Sequence, residues 1–177
     1  AVLHGLWTSP EGATFEHQGR TLSVSIAADT VRPLQTPPPI VLGGLGGKRS
    51  ARLASAYAAE YNVPFAQATD MRDIHDRVRA RCEADGRDPA TIVWSTALVV
   101  CCGESDAVRR SALAKSEEVD ELRANGLAGT PAEILDRLAT FTDGGAERVY
   151  LQVLDLADLD HLRLIAAEVL PHAGHLR

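Results

Sequence analysis

The run Gly43-Gly44-Leu45-Gly46-Gly47-Lys48-Arg49 combines the residue types that hold an anion. It lies between a short apolar run, Pro39-Ile40-Val41-Leu42, and an Ala- and Leu-rich stretch from Ser50 to Ala59 that reads as a helix. Glycines let a backbone come close to a phosphate, the N–H groups of a helix's first turn have no partner inside the helix, and the helix dipole favours negative charge there. Lys48 or Arg49 adds a cation. Gly43, Gly44, Gly46, Gly47, Lys48 and Arg49 are therefore the candidate phosphate-binding residues, although the same pattern also makes tight turns that bind nothing.

The other chemistry-bearing residues read as structural. Gly129-Thr130-Pro131-Ala132-Glu133 also opens a helix, but Thr130 and Glu133 have the spacing of a capping box, which occupies the donors an anion would need. Among the six histidines, His172 and His175 fall beyond Pro171 with no Cys or carboxylate at ligand spacing, and His75 and His161 fall in polar helical phases and are expected to be solvated. No metal site is expected. Asp155, Asp158 and Asp160 suit an exposed helix N-terminus. The adjacent Cys101 and Cys102 follow an apolar run and are read as packing rather than as reactive thiols. No Ser/His/Asp order, HExxH or Walker motif stands in the chain, so no catalytic residue is assigned.

The elements that must position the glycine turn alternate. Strands are expected over residues 39–44, 62–66, 92–100 and 148–154, the third apolar almost throughout, as suits a strand covered on both faces. Helices are expected over 50–59, from a cap at Thr69-Asp70 to Gly86, over 105–124, from Thr130 to Gly144-Gly145, and over 159–170 with Leu162, Ile165, Ala166 and Val169 on one face and Pro171 as the stop. Met71, Ile74, Val78 and Cys82 share a face of the second of these. Strand–helix units of this length imply a parallel sheet: half of a (β/α)8 barrel, or a small doubly wound sheet. Residues 1–39 break the alternation with a helix tail over Val2–Trp7, a hairpin over Thr14–Ile26 turning at Gln18-Gly19, and an extended Pro-rich run from Val31 to Pro39. The expected organisation is a leader or insertion over 1–39 and the half-barrel over 40–177.

Composition narrows the partners. The chain has 177 residues, 45% hydrophobic and 24% charged, with a formal charge of −6 and no basic run longer than a pair such as Lys48-Arg49, which argues against nucleic acid. No apolar stretch is long enough to span a bilayer, and three cysteines without a pairing pattern suit the cytoplasm. The first residue is Ala1 and the single methionine is Met71, so a processed chain or a fragment is expected.

Four stretches together resemble the luciferase-like flavin and deazaflavin oxidoreductases, in particular the branch that uses coenzyme F420. They are Leu6-Trp7-Thr8-Ser9 with Ala13-Thr14-Phe15-Glu16; Arg32-Pro33-Leu34-Gln35 leading through Pro38-Pro39 to Gly43-Gly44; Gly46-Gly47-Lys48-Arg49 with Arg52-Leu53-Ala54 and Tyr57-Ala58-Ala59-Glu60-Tyr61-Asn62; and Gly129-Thr130-Pro131-Ala132-Glu133-Ile134 with Gly145-Ala146. Gly47 stands where the family usually has proline, and Ala59 where it usually has aspartate. The resemblance implies the C-terminal half of a (β/α)8 barrel of roughly 300 residues. It implies a hydride transfer between F420 and an organic small molecule, or an FMN-dependent monooxygenase reaction, with the cofactor's phosphate at the glycine turn. A different class of reading is an inactive half-barrel that works by forming a homo-oligomer or by pairing with a complementary half-barrel, because open strand edges are avoided in soluble proteins.

Overall fold

A computed structural model describes residues 2–27, 33–115 and 119–174 of the chain. Two compact units divide it after Ile40. The first holds α1 (Val2–Thr8) and an antiparallel hairpin of β1 (Thr14–Gln18) and β2 (Ser23–Ala27), closed by the Gly19 N–H on the Leu22 carbonyl at 2.9 Å. In the Pro-rich run, Val31 and Arg32 lie outside the described residues, and residues 34–37 bend where an extended path is expected.

The second unit is the α/β fold read from the sequence. Its elements are β3 (Val41–Gly43), α2 (Lys48–Tyr57), β4 (Glu60–Pro64), α3 (Ala68–Ala84), a 3-10 turn (Pro89–Thr91), β5 (Val93–Cys102), α4 (Ser105–Lys115), α5 (Val119–Asn125), β6 (Leu127–Gly129), α6 (Pro131–Asp143), β7 (Arg148–Gln152), α7 (Leu159–Glu168) and α8 (Leu170–Ala173). Strands β3, β4, β5 and β7 lie side by side, all parallel, in chain order. The short β6 adds a fifth parallel strand beside Val100–Cys102. Its Leu127-Ala128-Gly129 runs directly into the Thr130 cap and reads as part of that helix start, which is why the sequence shows four strands and the structure five.

Register sorts the side chains onto two faces. Tyr61, Val63, Trp94, Leu98, Val100 and Cys102 point into the helix-covered core, where Met71, Ile74, Val78 and Cys82 of α3 and Ile134, Leu138 and Phe141 of α6 meet them. Burying each of the larger side chains stabilises the fold by about 1.5–3 kcal/mol. Val41, Glu60, Asn62, Pro64, Ser95, Ala97, Arg148, Tyr150 and Gln152 share the opposite face.

Helix ends fix the position of α2 and α3. Gly86, at φ +76°, follows α3 in a Schellman arrangement, with the Gly86 N–H on Glu83 O at 3.0 Å and the Arg87 N–H on Cys82 O at 2.8 Å. The Arg87 side chain then donates to the carbonyls of Ala54, Ser55 and Ala58 at 3.0, 3.1 and 2.6 Å, tying down the C-terminal end of α2. Three expected boundaries change. The cap of α3 is the backbone of Gln67 rather than Thr69 or Asp70. The expected helix over 105–124 is described as α4 and α5, with 116–118 outside the described residues. Pro171 does not stop a helix but sits in the first turn of α8, where its missing N–H costs nothing.

Candidate functional site

Gly43 ends β3, residues 44–46 form the turn, Gly47 is the N-cap of α2, and Lys48 and Arg49 are its first two residues. This is the C-terminal rim of the sheet. Two side chains absent from the sequence reading shape the turn. The Tyr61 hydroxyl accepts from the Gly46 N–H at 3.0 Å and donates to Ser50 Oγ at 3.1 Å, and Ser50 Oγ donates to the Gly47 carbonyl at 3.0 Å. Arg77 of α3 donates to the Leu45 carbonyl at 3.0 Å. The Gly44 N–H is held by the Asn62 carbonyl at 3.0 Å. Gly46 has φ +70°, and a Cβ there would lie 3.0 Å from the Ile74 carbonyl, so this position requires glycine twice over.

The six sequence-selected residues therefore divide. Gly44 and Gly46 spend their N–H groups inside the fold. Gly43, Gly47, Lys48 and Arg49 line an open cleft of about 620 Å³ together with Leu42 and Leu53. No side chain caps α2, and nothing lies within 4 Å of where a Gly47 Cβ would be. The first-turn N–H groups and two exposed cations thus face the same open space, an arrangement that suits a phosphate.

The start of α6 contrasts with it. Thr130 Oγ1 accepts from the Glu133 N–H, and Glu133 Oε2 accepts from the Thr130 N–H at 2.8 Å, so the capping box closes in full. Those hydrogen bonds, the backbone one first, hold the Glu133 carboxyl below the usual range.

Both histidines read as solvated are buried. His75 has no exposure, its ring centroid is 4.9 Å from that of Trp94, and neither ring nitrogen has a hydrogen-bond partner. Burial, with the Arg79 charge second, lowers its pKa to about 4. His75 lies on the same buried stripe as Met71, Val78 and Cys82, which corrects the polar phase expected for it. His161 Nε2 accepts the Cys102 N–H at 2.9 Å, tying α7 to the end of β5, and burial lowers its pKa too. The buried stripe of α7 is accordingly His161 and Ile165, continued by Val169, while Leu162 is exposed.

On the face away from the helices, polar groups connect three strands. Ser95 Oγ donates to Glu60 Oε1 at 2.6 Å, Asn62 Nδ2 donates to Ser95 Oγ at 3.0 Å, and Arg148 pairs with Glu60 Oε2. Glu60 is buried, and that network lets a carboxylate stay there. Periodicity alone gave no sign of it, because its four members are spread over β4, β5 and β7. Cys101 and Cys102 are buried, and burial raises the Cys102 thiol pKa. Among the described residues, no group of three His, Cys, Asp or Glu side chains is placed to hold a metal ion, and no helix is long and apolar enough to cross a membrane.

Comparison with known proteins agrees with this architecture. Comparison with curated proteins gave no match. Among solved structures, an F420-dependent secondary alcohol dehydrogenase in complex with an F420-acetone adduct superposes with a TM-score of 0.78 at 17% identity, covering 97% of this chain and 59% of that one. The coenzyme F420 dependent tetrahydromethanopterin reductase from Methanopyrus kandleri gives 0.71 at 17% identity, with 97% and 61% covered. The EDTA monooxygenase from Chelativorans sp. BNC1 gives 0.72 at 19% identity, with 98% and 58% covered. The chain thus spans about three-fifths of the length of these structures, and at such identities the likeness is one of fold. The sequence profile of the luciferase-like monooxygenases matches residues 1–119, and the chain belongs to that family.

Proposed function

We propose that this chain supplies the phosphate-binding part of an oxidoreductase that transfers a hydride between reduced coenzyme F420 and an organic small molecule. The observation that carries the proposal is the uncapped N-terminus of α2 opening, with Lys48 and Arg49, onto the rim of the sheet. Gly43 and Gly47 admit the phosphate, the first-turn N–H groups receive it, and Lys48 and Arg49 neutralise its charge. Gly44 and Gly46 act one step back, giving the turn its shape. The bound deazaflavin or flavin supplies the hydride chemistry, and this chain's own residues hold and orient the cofactor. The three cysteines are buried and form no disulfide among the described residues, which agrees with a cytoplasmic setting.

FMN with a monooxygenase reaction is the second reading, supported by the flavin enzymes and monooxygenases among the structural neighbours. The phosphate turn serves both cofactors. Titrating the chain with F420 and with FMN, each followed by its own fluorescence, separates them. The proposal expects saturable binding of F420 that weakens at least about tenfold in the Lys48→Ala/Arg49→Ala double variant. Binding of FMN alone would move the assignment to the second reading, and binding of neither would overturn the cofactor role.

A pairing function has its own support. Among the described residues β3 pairs only with β4, and β7 only with β5, so both edges of the parallel sheet are open. Val41 and Tyr150 on the face away from the helices are 53% and 42% exposed. A homo-oligomer or a complementary half-barrel would cover them. Sedimentation of the chain at several concentrations tests this, and a monomer at all of them would contradict self-pairing.

A further inference from the structure

We infer that Asn62 determines specificity beside the phosphate turn, its side-chain carbonyl accepting a hydrogen bond from a hydroxyl on the chain attached to the phosphate. The inference rests on the reading of the α2 start as a phosphate site. Asn62 stands one strand away from that turn: its backbone carbonyl holds the Gly44 N–H at 3.0 Å, and it is the register partner of Gly43. Both residues therefore face the side of the sheet away from the helices, on neighbouring strands about 4.8 Å apart. A Cβ at Gly43 would find only the Asn62 backbone carbonyl within 4 Å, at 3.8 Å. Glycine at this position thus leaves the way from the turn to the Asn62 side chain open among the described residues.

Counting protons fixes which end of the amide is presented. Glu60 is buried and paired with Arg148, and a carboxylate can only accept. The single proton of the Ser95 hydroxyl is therefore spent on Glu60 Oε1, at 2.6 Å. Ser95 Oγ can then only accept from Asn62, so Nδ2 must face it, at 3.0 Å, and Oδ1 must face away. Ser95 and Glu60 are both buried, so water does not compete for these bonds. Oδ1 itself has no hydrogen-bond partner among the described residues. An acceptor locked in this way selects a donor: a hydroxylated chain supplies one, and a bare alkyl chain does not. Ser95, Glu60 and Arg148 are positioning residues that act through Asn62.

Inorganic phosphate, ribitol 5-phosphate and butyl phosphate are the probes, each titrated into the full chain and followed by NMR of the backbone and side-chain amides. Wild type should bind ribitol 5-phosphate about fivefold more tightly than butyl phosphate, the worth of one neutral hydrogen bond. Its Asn62 side-chain amide should shift with ribitol 5-phosphate and not with butyl phosphate, a readout that needs no variant. Asn62→Ala should bind the two esters equally and inorganic phosphate as wild type does, because alanine keeps the backbone carbonyl that holds Gly44. Ser95→Ala, which frees the amide to turn, should shrink the preference although Ser95 does not meet the ligand. Failure of all three probes to bind overturns the phosphate reading and this inference with it. Equal binding of the two esters by wild type, or an undiminished preference in Asn62→Ala, overturns this inference alone.

Discussion

Helices α2 and α6 begin alike, each soon after a three-residue parallel strand that ends in glycine, yet their N-termini are finished in opposite ways. At α6, Thr130 and Glu133 close a reciprocal cap on the donors the helix leaves unpaired. At α2, Gly47 offers no side chain, and the hydroxyls of Ser50 and Tyr61 are spent on shaping the turn instead of capping the helix. The dipole and the first-turn N–H groups are similar at the two sites. What differs is whether the protein completes them itself. A helix start left open beside two exposed cations is competent to receive an anion; one closed by its own carboxylate is not.

Acid is the strongest lever on this contrast. The unfolded chain protonates His75 as the pH falls below about 6.5, whereas the folded chain resists until about pH 4. Stability is therefore lost across that window, by up to about 3 kcal/mol at roughly 1.4 kcal/mol per pH unit. The charged groups nearest His75 are Arg79 and Asp76 of its own helix, with the Trp94 ring and the Gly145 backbone packed against it. Because α3 also supplies Ile74 and Arg77 behind the glycine turn, the α2 side should loosen in this range. The α6 cap should persist until the pH falls through the depressed pKa of Glu133, since a lowered carboxylate pKa contributes stability that is present above its unfolded value and lost below. Urea unfolding at pH 7, 5.5 and 4 should show the loss, and His75→Phe should flatten it.

Substitution at the turn itself ranks next. Gly46→Ala should destabilise the chain by about 2 kcal/mol through its positive φ and the close Ile74 carbonyl, measured by chemical denaturation. Thr130→Ala should cost about 1 kcal/mol by opening the α6 cap, without affecting anion binding. The smallest effect on stability belongs to Gly47→Asp, which gives α2 the cap it lacks and should stabilise the fold by a few tenths of a kcal/mol.

The sequence made one of these helix starts legible in full and the other in part. Thr130, Pro131 and Glu133 act on one another within four residues, so their roles follow from spacing alone. The glycine turn could be located in the same way, but Tyr61 and Arg77 approach Gly46 and Leu45 from 15 and 32 residues away, and no local pattern marks them. The parallel order of β3, β4, β5 and β7 was readable because long apolar runs alternate with amphipathic helices. The three-residue β6 and the Glu60–Ser95–Asn62–Arg148 network depend on cross-strand register and were not. His75 shows a different failure: the polar helical phase expected for it is in fact the buried stripe of Met71, Val78 and Cys82. For α7 the expected stripe holds at Ile165 and Val169 but not at Leu162 and Ala166, which are exposed, while His161, polar but bonded to Cys102, is buried.

The central claim is that the open start of α2, and not the closed start of α6, receives the anion. It is tested most directly by titrating inorganic phosphate into wild type, Gly47→Asp and Thr130→Ala, following backbone amide shifts. The account predicts saturable shifts centred on Lys48, Arg49 and Ser50, weakened at least about tenfold by Gly47→Asp and unchanged by Thr130→Ala. Equal binding by wild type and Gly47→Asp, or shifts centred on residues 130–133, would contradict it.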